Sequence, residues 1–336
     1  MRGLGIASGS YRAGDWVMVR PLGQILATLD ETMSLDGMPF MPEMANYCGR
    51  RLKVVKSAHK TCDPTGRTNL RRMANAVHLD ARCDGSAHGG CETGCLFFWK
   101  TDWLMPAACS MTVATDEAPR DALDGLEAAT RAGLAANGAV RYRCQATEIP
   151  RATAPLSHRD LKQYARDFLS GNASLGSIVF HLARAAANSA SARLRRMLRL
   201  NSSPAPAAPG VRRGGEKRSP LGPGDYVRIR KAGEIASTLD ENGKLHGLAF
   251  EDEMFRRCGS IGRVARAVRR IVDERSGRLI DLGPGCVILE NSTCTGLGNS
   301  GRLFCPRSCH FFWRDDWLEW PVGIPGGEPA RNAERS

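Results

Sequence analysis

The sequence predicts an α+β protein: two duplicated, small, mostly-β domains, each with a four-cysteine metal site and comparable to an SH3-like barrel, joined by a helical middle segment and a Pro/Gly/Arg-rich linker. Three observations predict it. A long stretch occurs twice, four cysteines hold matching places in both occurrences, and the material between them has a different, helical composition. The first copy runs from Gly14-Asp15-Trp16-Val17 through Thr28-Leu29-Asp30-Glu31, Phe40, Glu43-Met44 and Cys48-Gly49 to Cys83, Cys91, Cys95 and Phe97-Phe98-Trp99-Lys100-Thr101-Asp102-Trp103-Leu104. The second repeats it as Gly224-Asp225-Tyr226-Val227, Thr238-Leu239-Asp240-Glu241, Phe250, Glu253-Met254 and Cys258-Gly259, then Cys294, Cys305, Cys309 and Phe311-Phe312-Trp313-Arg314-Asp315-Asp316-Trp317-Leu318. The division that follows is a first repeat at 14–104, a helical middle at 105–200, a flexible basic linker at 201–223, a second repeat at 224–320 and a disordered tail at 321–336.

Each copy opens with alternating residues that read as a strand, Trp16 to Arg20 and Tyr226 to Arg230, and a second short strand is expected at Gln24–Leu29 and Glu234–Leu239. Asp36-Gly37 and Asp240-Glu241-Asn242-Gly243 signal turns. Pro42 to Gly49 has proline where a helix starts and glycine where one stops, which puts Cys48 at the end of a helical turn. Further strands are expected at Leu52–His59 and Asn75–Asp80, matched by Arg263–Asp273 and Cys286–Glu290. In the middle, Arg120–Asn137 reads as a helix, Ser157 to Ser170 as a second one ending at Gly171-Asn172, and Leu175–Leu200 as a third with an apolar stripe. Five prolines with Gly, Ser and Arg between Asn201 and Gly224 give linker composition.

Composition narrows the class. At 336 residues, 42% hydrophobic and 24% charged, the chain is of ordinary globular make-up, with room for two or three domains. Met1 to Gly14 lacks an apolar signal region and no window offers about 18 uninterrupted apolar residues, so the reading is cytoplasmic without membrane insertion. In that compartment thiols stay reduced, and 12 cysteines at repeated spacing point to metal binding rather than disulfides. The net charge of +12 is concentrated in part between Arg184 and Arg218, where nine basic residues face the single acid Glu216. Such a run attracts phosphate-rich partners, and binding of DNA or RNA through it is expected to weaken steeply as salt rises. A solvated helix end and tether is the plainer reading of the same residues.

Cys48, Cys83, Cys91 and Cys95 correspond to Cys258, Cys294, Cys305 and Cys309, whereas Cys62, Cys109, Cys144 and Cys286 have no counterpart. Four thiols retained together suit a closed tetrahedral zinc site, which gives two zinc sites per chain, with iron–sulfur clusters as the alternative. The pairs Cys91-x3-Cys95 and Cys305-x3-Cys309 would face one way on a helical turn, and Cys83 or Cys294 would end a strand. The third-to-fourth spacer varies from seven residues to ten, as a surface loop tolerates. Cys83-Asp84-Gly85-Ser86-Ala87-His88 resembles the Cys-Asp-Gly-Ser-His signature of a small iron–sulfur family, with one residue added. The upstream Cys-x-Cys pair of that family is missing, and the second copy, Cys294-Thr295-Gly296-Leu297-Gly298-Asn299, has neither the acid nor the histidine. His88 is therefore expected to be an exposed loop residue, with a copy-specific ligand as its other role.

Asp30, Glu31 and Glu43 recur as Asp240, Glu241 and Glu253, but no histidine or serine nucleophile recurs with them, so they are assigned to turns and a helix start. The terminal tryptophans and phenylalanines are assigned to a core. No Walker loop, H-E-x-x-H or G-x-S-x-G is present. The expected function is a zinc-stabilised tandem-repeat interaction or scaffold protein without catalysis of its own, acting on a protein partner. Nucleic-acid binding is one alternative. The other is an iron–sulfur redox enzyme in which Cys62 or Cys144 takes part.

Overall fold

Trp16–Val19 forms a strand whose alternate residues Val17 and Val19 are buried, and Tyr226–Ile229 does the same with Val227 and Ile229. Around each, a five-stranded antiparallel sheet is built in one order. It is Leu96–Lys100, Ala76–Arg82, Arg51–Ser57, Trp16–Val19, Leu104–Pro106 in the first copy, and His310–Arg314, Cys286–Thr293, Ile261–Ala267, Tyr226–Ile229, Leu318–Glu319 in the second. The registers agree as well: Trp16 pairs with Lys53 and Val77 with Trp99, as Tyr226 pairs with Arg263 and Val287 with Trp313. The chain is thus mixed α+β with two similar sheets and few helices. In this computed structural model the described residues are 11–66, 70–107, 120–197 (side chains to 187) and 220–321. The tail, most of the linker, most of the basic run and Cys109 lie outside them.

The described chain divides into two compact units. One takes the residues up to Leu182 together with Arg270–Ile280 and Thr295–Cys309; the other takes Ala183–Arg269, Asp281–Cys294 and the residues from His310. In each unit the terminal aromatics are core. Trp99, Trp103, Trp313 and Trp317 are fully buried, and the indole N–H of Trp103 donates to Thr28 Oγ1 at 3.1 Å as that of Trp317 donates to Thr238 Oγ1 at 3.1 Å. A buried indole without such an acceptor would lose the hydrogen bond it makes to water. The expected turn at Asp36-Gly37 closes a two-residue hairpin with φ of 51° and 73°, the left-handed pair this turn type requires. Asp30 Oδ1 takes the N–H groups of Thr32 and Ser34, and Asp240 Oδ1 those of Asn242 and Lys244, so both acids build turns as expected.

Some local expectations give way. The second short strand is a helix, Leu22–Leu26 and Ala232–Ala236, because Pro21 starts it in one copy and the Glu234 carboxylate caps the Lys231 N–H in the other. Leu22 and Ile25, three apart, bury one face. The helix begun at Arg120 stops at Ala129, and a hairpin of Arg131–Leu134 with Val140–Tyr142 follows across Asn137-Gly138. Arg263–Asp273 is shared between strands Ile261–Ala267 and Arg270–Val272. Helix Gln145–Ala152, which contains Pro150, was not expected. The Ser157–Ser170 helix is shorter, Lys162–Leu169, and the third one runs Leu175–Met197. No described helix is long and apolar enough to cross a membrane.

His78 lies on strand Ala76–Arg82, between strands Leu96–Lys100 and Arg51–Ser57, with Nδ1 2.9 Å from the Phe97 carbonyl and a buried Nε2 without a partner. Burial pulls its pKa from 6.5 down to about 3, against the help of that carbonyl. The neutral ring is therefore favoured in the fold, and its contribution to stability is complete above pH 6.5 and lost progressively as pH falls toward 3. Denaturant titrations at pH 7 and pH 5 are expected to show a larger loss for the wild type than for His78→Gln; equal losses would contradict the assignment.

Candidate metal centre

Three elements of the first unit converge on one carboxylate. Pro42–Tyr47 forms a 3-10 helix that starts with its proline and carries Glu43 in the first turn. Cys83 follows strand Ala76–Arg82, and its N–H donates to the Cys95 carbonyl at 2.9 Å, which ties off the loop between them. Within the loop the Gly85 carbonyl accepts from His88 and Gly90, and Asp84 Oδ1 accepts from the Ser86 N–H and hydroxyl. Gly85 has φ +74°, and a Cβ there would collide with the backbone of Cys91. Only glycine fits so tight a closure. Gly296 repeats it with φ +73° and the same crowding against Cys305.

The loop thereby delivers His88 and Cys83 to Glu43. His88 Nδ1 is 2.9 Å and Cys83 Sγ 3.6 Å from Glu43 Oε1, and the ligand atoms of the three residues lie within 4.8 Å of one another. Glu43 is 4% exposed and His88 1%, so the expectation of an exposed loop histidine is corrected: the hydrogen-bonded closure at Gly85 turns the ring inward. His88 Nε2 lies 3.2 Å from the Arg143 carbonyl. A carbonyl can only accept, so Nε2 donates to it; an ionised Glu43 likewise accepts from Nδ1, which is the nitrogen turned toward Glu43 and Cys83. The Ala87 N–H also donates to Oε1 at 3.2 Å, whereas Oε2 is buried without a partner.

Burial opposes ionisation of Glu43, but the hydrogen bond and charge of His88 prevail and hold its carboxyl below the usual value. Burial, reinforced by the Glu43 charge, pushes the Cys83 thiol up, so in the absence of a cation Cys83 is a thiol that donates to the carboxylate. A divalent cation reverses this by displacing the thiol proton. Thiolate, imidazole and carboxylate form a donor set that suits zinc, and a histidine fixed by a backbone carbonyl through its other nitrogen is the usual outer-shell arrangement of such a ligand. A cavity of about 780 Å³, lined by Glu43, Cys48, Ser86, Gly89, Glu127, Arg131 and Tyr142, adjoins Glu43.

The sequence-predicted ligands are placed as follows. Among the described residues this is the one gathering of three or more His, Cys, Asp or Glu ligand atoms within 4.8 Å, and of the eight cysteines it contains Cys83 alone. Cys48 lines the large cavity, its thiol pushed up to about 12 by burial. Cys91 and Cys95 line, with Cys83 and the unduplicated Cys144, a second cavity of about 50 Å³. The segments Cys91–Cys95 and Cys305–Cys309 are irregular and not helical, since Gly94 at φ +65° and Ser308 at φ +46° take left-handed backbone. Cys258 and Cys294 belong to the second unit, Cys305 and Cys309 to the first. Cys294 Sγ is 3.6 Å from Glu253 Oε1, the same pairing as Cys83 with Glu43. Glu43 was the ligand-type residue missed, and its recurrence as Glu253 was the available signal; His88 falls in the gathering, in line with its alternative reading as a copy-specific ligand.

No protein-family model matches the chain, and neither a curated protein nor a solved structure is significantly similar to it.

Proposed function

We propose that this chain is a zinc-binding tandem-repeat interaction protein of the cytoplasm, with zinc held in the first repeat by Glu43, Cys83 and His88 and each sheet serving as an SH3-like scaffold. The observation that carries the reading is the buried Glu43 carboxylate: one oxygen is shared by a histidine anchored through its other nitrogen and a thiol, while the other has no partner. An orphaned buried oxygen costs about 1–3 kcal/mol, more when charged, and a cation removes that cost. The second copy keeps the Glu253–Cys294 pair but has no histidine between Thr295 and Phe304, so the reading assigns one centre per chain rather than two. The interaction role is supported by a run of exposed apolar residues in the first unit, Leu161, Phe168, Leu169, Leu175, Val179 and Phe180.

Elemental analysis of full-length protein purified without chelators tests the reading. About one zinc per chain is the expected result. Folded protein free of metal that takes up no added zinc contradicts it, and a brown, iron-containing product would favour the iron–sulfur alternative.

A further inference from the structure

Apart from the Glu43 centre, the first unit contains a second thiol assembly, and it is built differently. Strand Lys60–Cys62 carries Cys62, whose N–H donates to Cys305 Sγ at 3.2 Å. The two thiols are also hydrogen-bonding neighbours. Arg307 Nη1 lies 3.4 Å from Cys62 Sγ, and the guanidinium is held in place by Glu274, with contacts of 3.0 Å to Oε2 and 2.6 Å to Oε1. Arg307 is 6% exposed. A desolvated guanidinium held at a sulfur by two further hydrogen bonds is not a by-product of surface packing, since burying it without a role would cost several kcal/mol.

We propose that Cys62 and Cys305 form a redox-reactive dithiol that reduces a small hydroperoxide, Cys62 attacking and Cys305 resolving. The Arg307 N–H aimed at Cys62 Sγ favours the anionic sulfur even though Glu274 offsets part of the guanidinium charge, and this donor distinguishes the assembly from a metal site, whose sulfurs face a cation. In agreement, no three ligand atoms gather here within 4.8 Å among the described residues. The thiolate attacks one oxygen of hydrogen peroxide, the O–O bond breaks, and the other oxygen leaves as hydroxide, which takes a proton to become water; Cys62 keeps the attacked oxygen as a sulfenic acid. The Cys305 sulfur then attacks Cys62 Sγ, the S–O bond breaks, and the Cys305 proton departs with hydroxide as a second water. The disulfide holds the two-electron oxidation, and a thiol reductant restores the pair. Cys305 is buried and Cys62 half-buried, so the oxidant is a small hydroperoxide and not a bulky disulfide.

The test uses the reduced full-length chain, treated with one equivalent of hydrogen peroxide, alkylated, digested and mapped by mass spectrometry. A Cys62–Cys305 linkage that forms at least about 10-fold faster than Cys48 is oxidised is expected, as thiolate character sets the rate. Cys305→Ser is expected to leave a dimedone-reactive sulfenic acid on Cys62, and Arg307→Gln to slow the linkage at least about 10-fold. Cys62 oxidised no faster than Cys48, or linked to Cys309 instead, would overturn the proposal. The wild-type rate and linkage alone decide it should a variant fail to fold.

Discussion

Cys83→Ser and His88→Ala are each expected to weaken zinc binding by at least about 100-fold, because even outer-shell partners of a zinc ligand are worth 10–100-fold. Both substitutions remove an atom from the set gathered at Glu43, and neither replacement restores a soft or imidazole donor. Glu43→Gln is expected to fall in the same direction, since the amide keeps an oxygen but loses the charge. Competition against a chromogenic chelator measures all three. The discriminating comparison is with Cys48→Ser and Cys91→Ser, which remove thiols outside the gathering and are expected to leave affinity within a few-fold of wild type. A loss in those two equal to that of Cys83→Ser would return the site to a thiol quartet. Affinity is also expected to fall with falling pH, since the proton that burial and Glu43 hold on the Cys83 thiol competes with the cation.

Asp167→Ala is expected to destabilise the first unit by about 3–5 kcal/mol, the cost of leaving a buried charge without its partner. Lys60 is fully buried, with Nζ 2.6 Å from Asp167 Oδ2, 3.3 Å from Gln163 Oε1 and 2.8 Å from the Leu303 carbonyl. Burial already lowers the Lys60 pKa against the pull of Asp167. The Lys60 ammonium also stands 5.0 Å from the ring centre of Tyr164 and 5.7 Å from that of Phe304. The pair joins helix Lys162–Leu169 to the strand that carries Cys62 and to the segment that carries Cys305. The double substitution Lys60→Met with Asp167→Leu is expected to recover much of the loss, as apolar replacement of a buried ion pair often does. Denaturant unfolding checks both; a cost below about 1 kcal/mol for the single variant would mean that the charges are solvated.

The architecture was readable where the sequence repeats itself, because matching strings fix which strands correspond before any is assigned. Val17 and Val19, Asp36-Gly37, Pro42 to Gly49 and the terminal tryptophans all adopt the roles their chemistry dictates. Short apolar alternation at Gln24–Leu29 could not separate strand from helix, and Pro21 decided it. The cysteine spacing misled about local geometry because a four-residue interval suggests a helical turn only if the backbone can form one, and Gly94 and Ser308 take the opposite hand. Glu43 and His88 lie 45 positions apart and meet only through the closure of the loop at Gly85, a non-local event with no periodic signature. Cys62 and Cys144 join the thiol assemblies without being duplicated, so repetition gave them no place among the ligands and they entered only the redox alternative.

The most direct test of the central claim is X-ray absorption at the zinc edge of the zinc-loaded full-length chain. Coordination by Glu43, Cys83 and His88 predicts a first shell with one sulfur at about 2.3 Å and the remaining scatterers nitrogen or oxygen at about 2.0–2.2 Å. A shell of four sulfurs would contradict it.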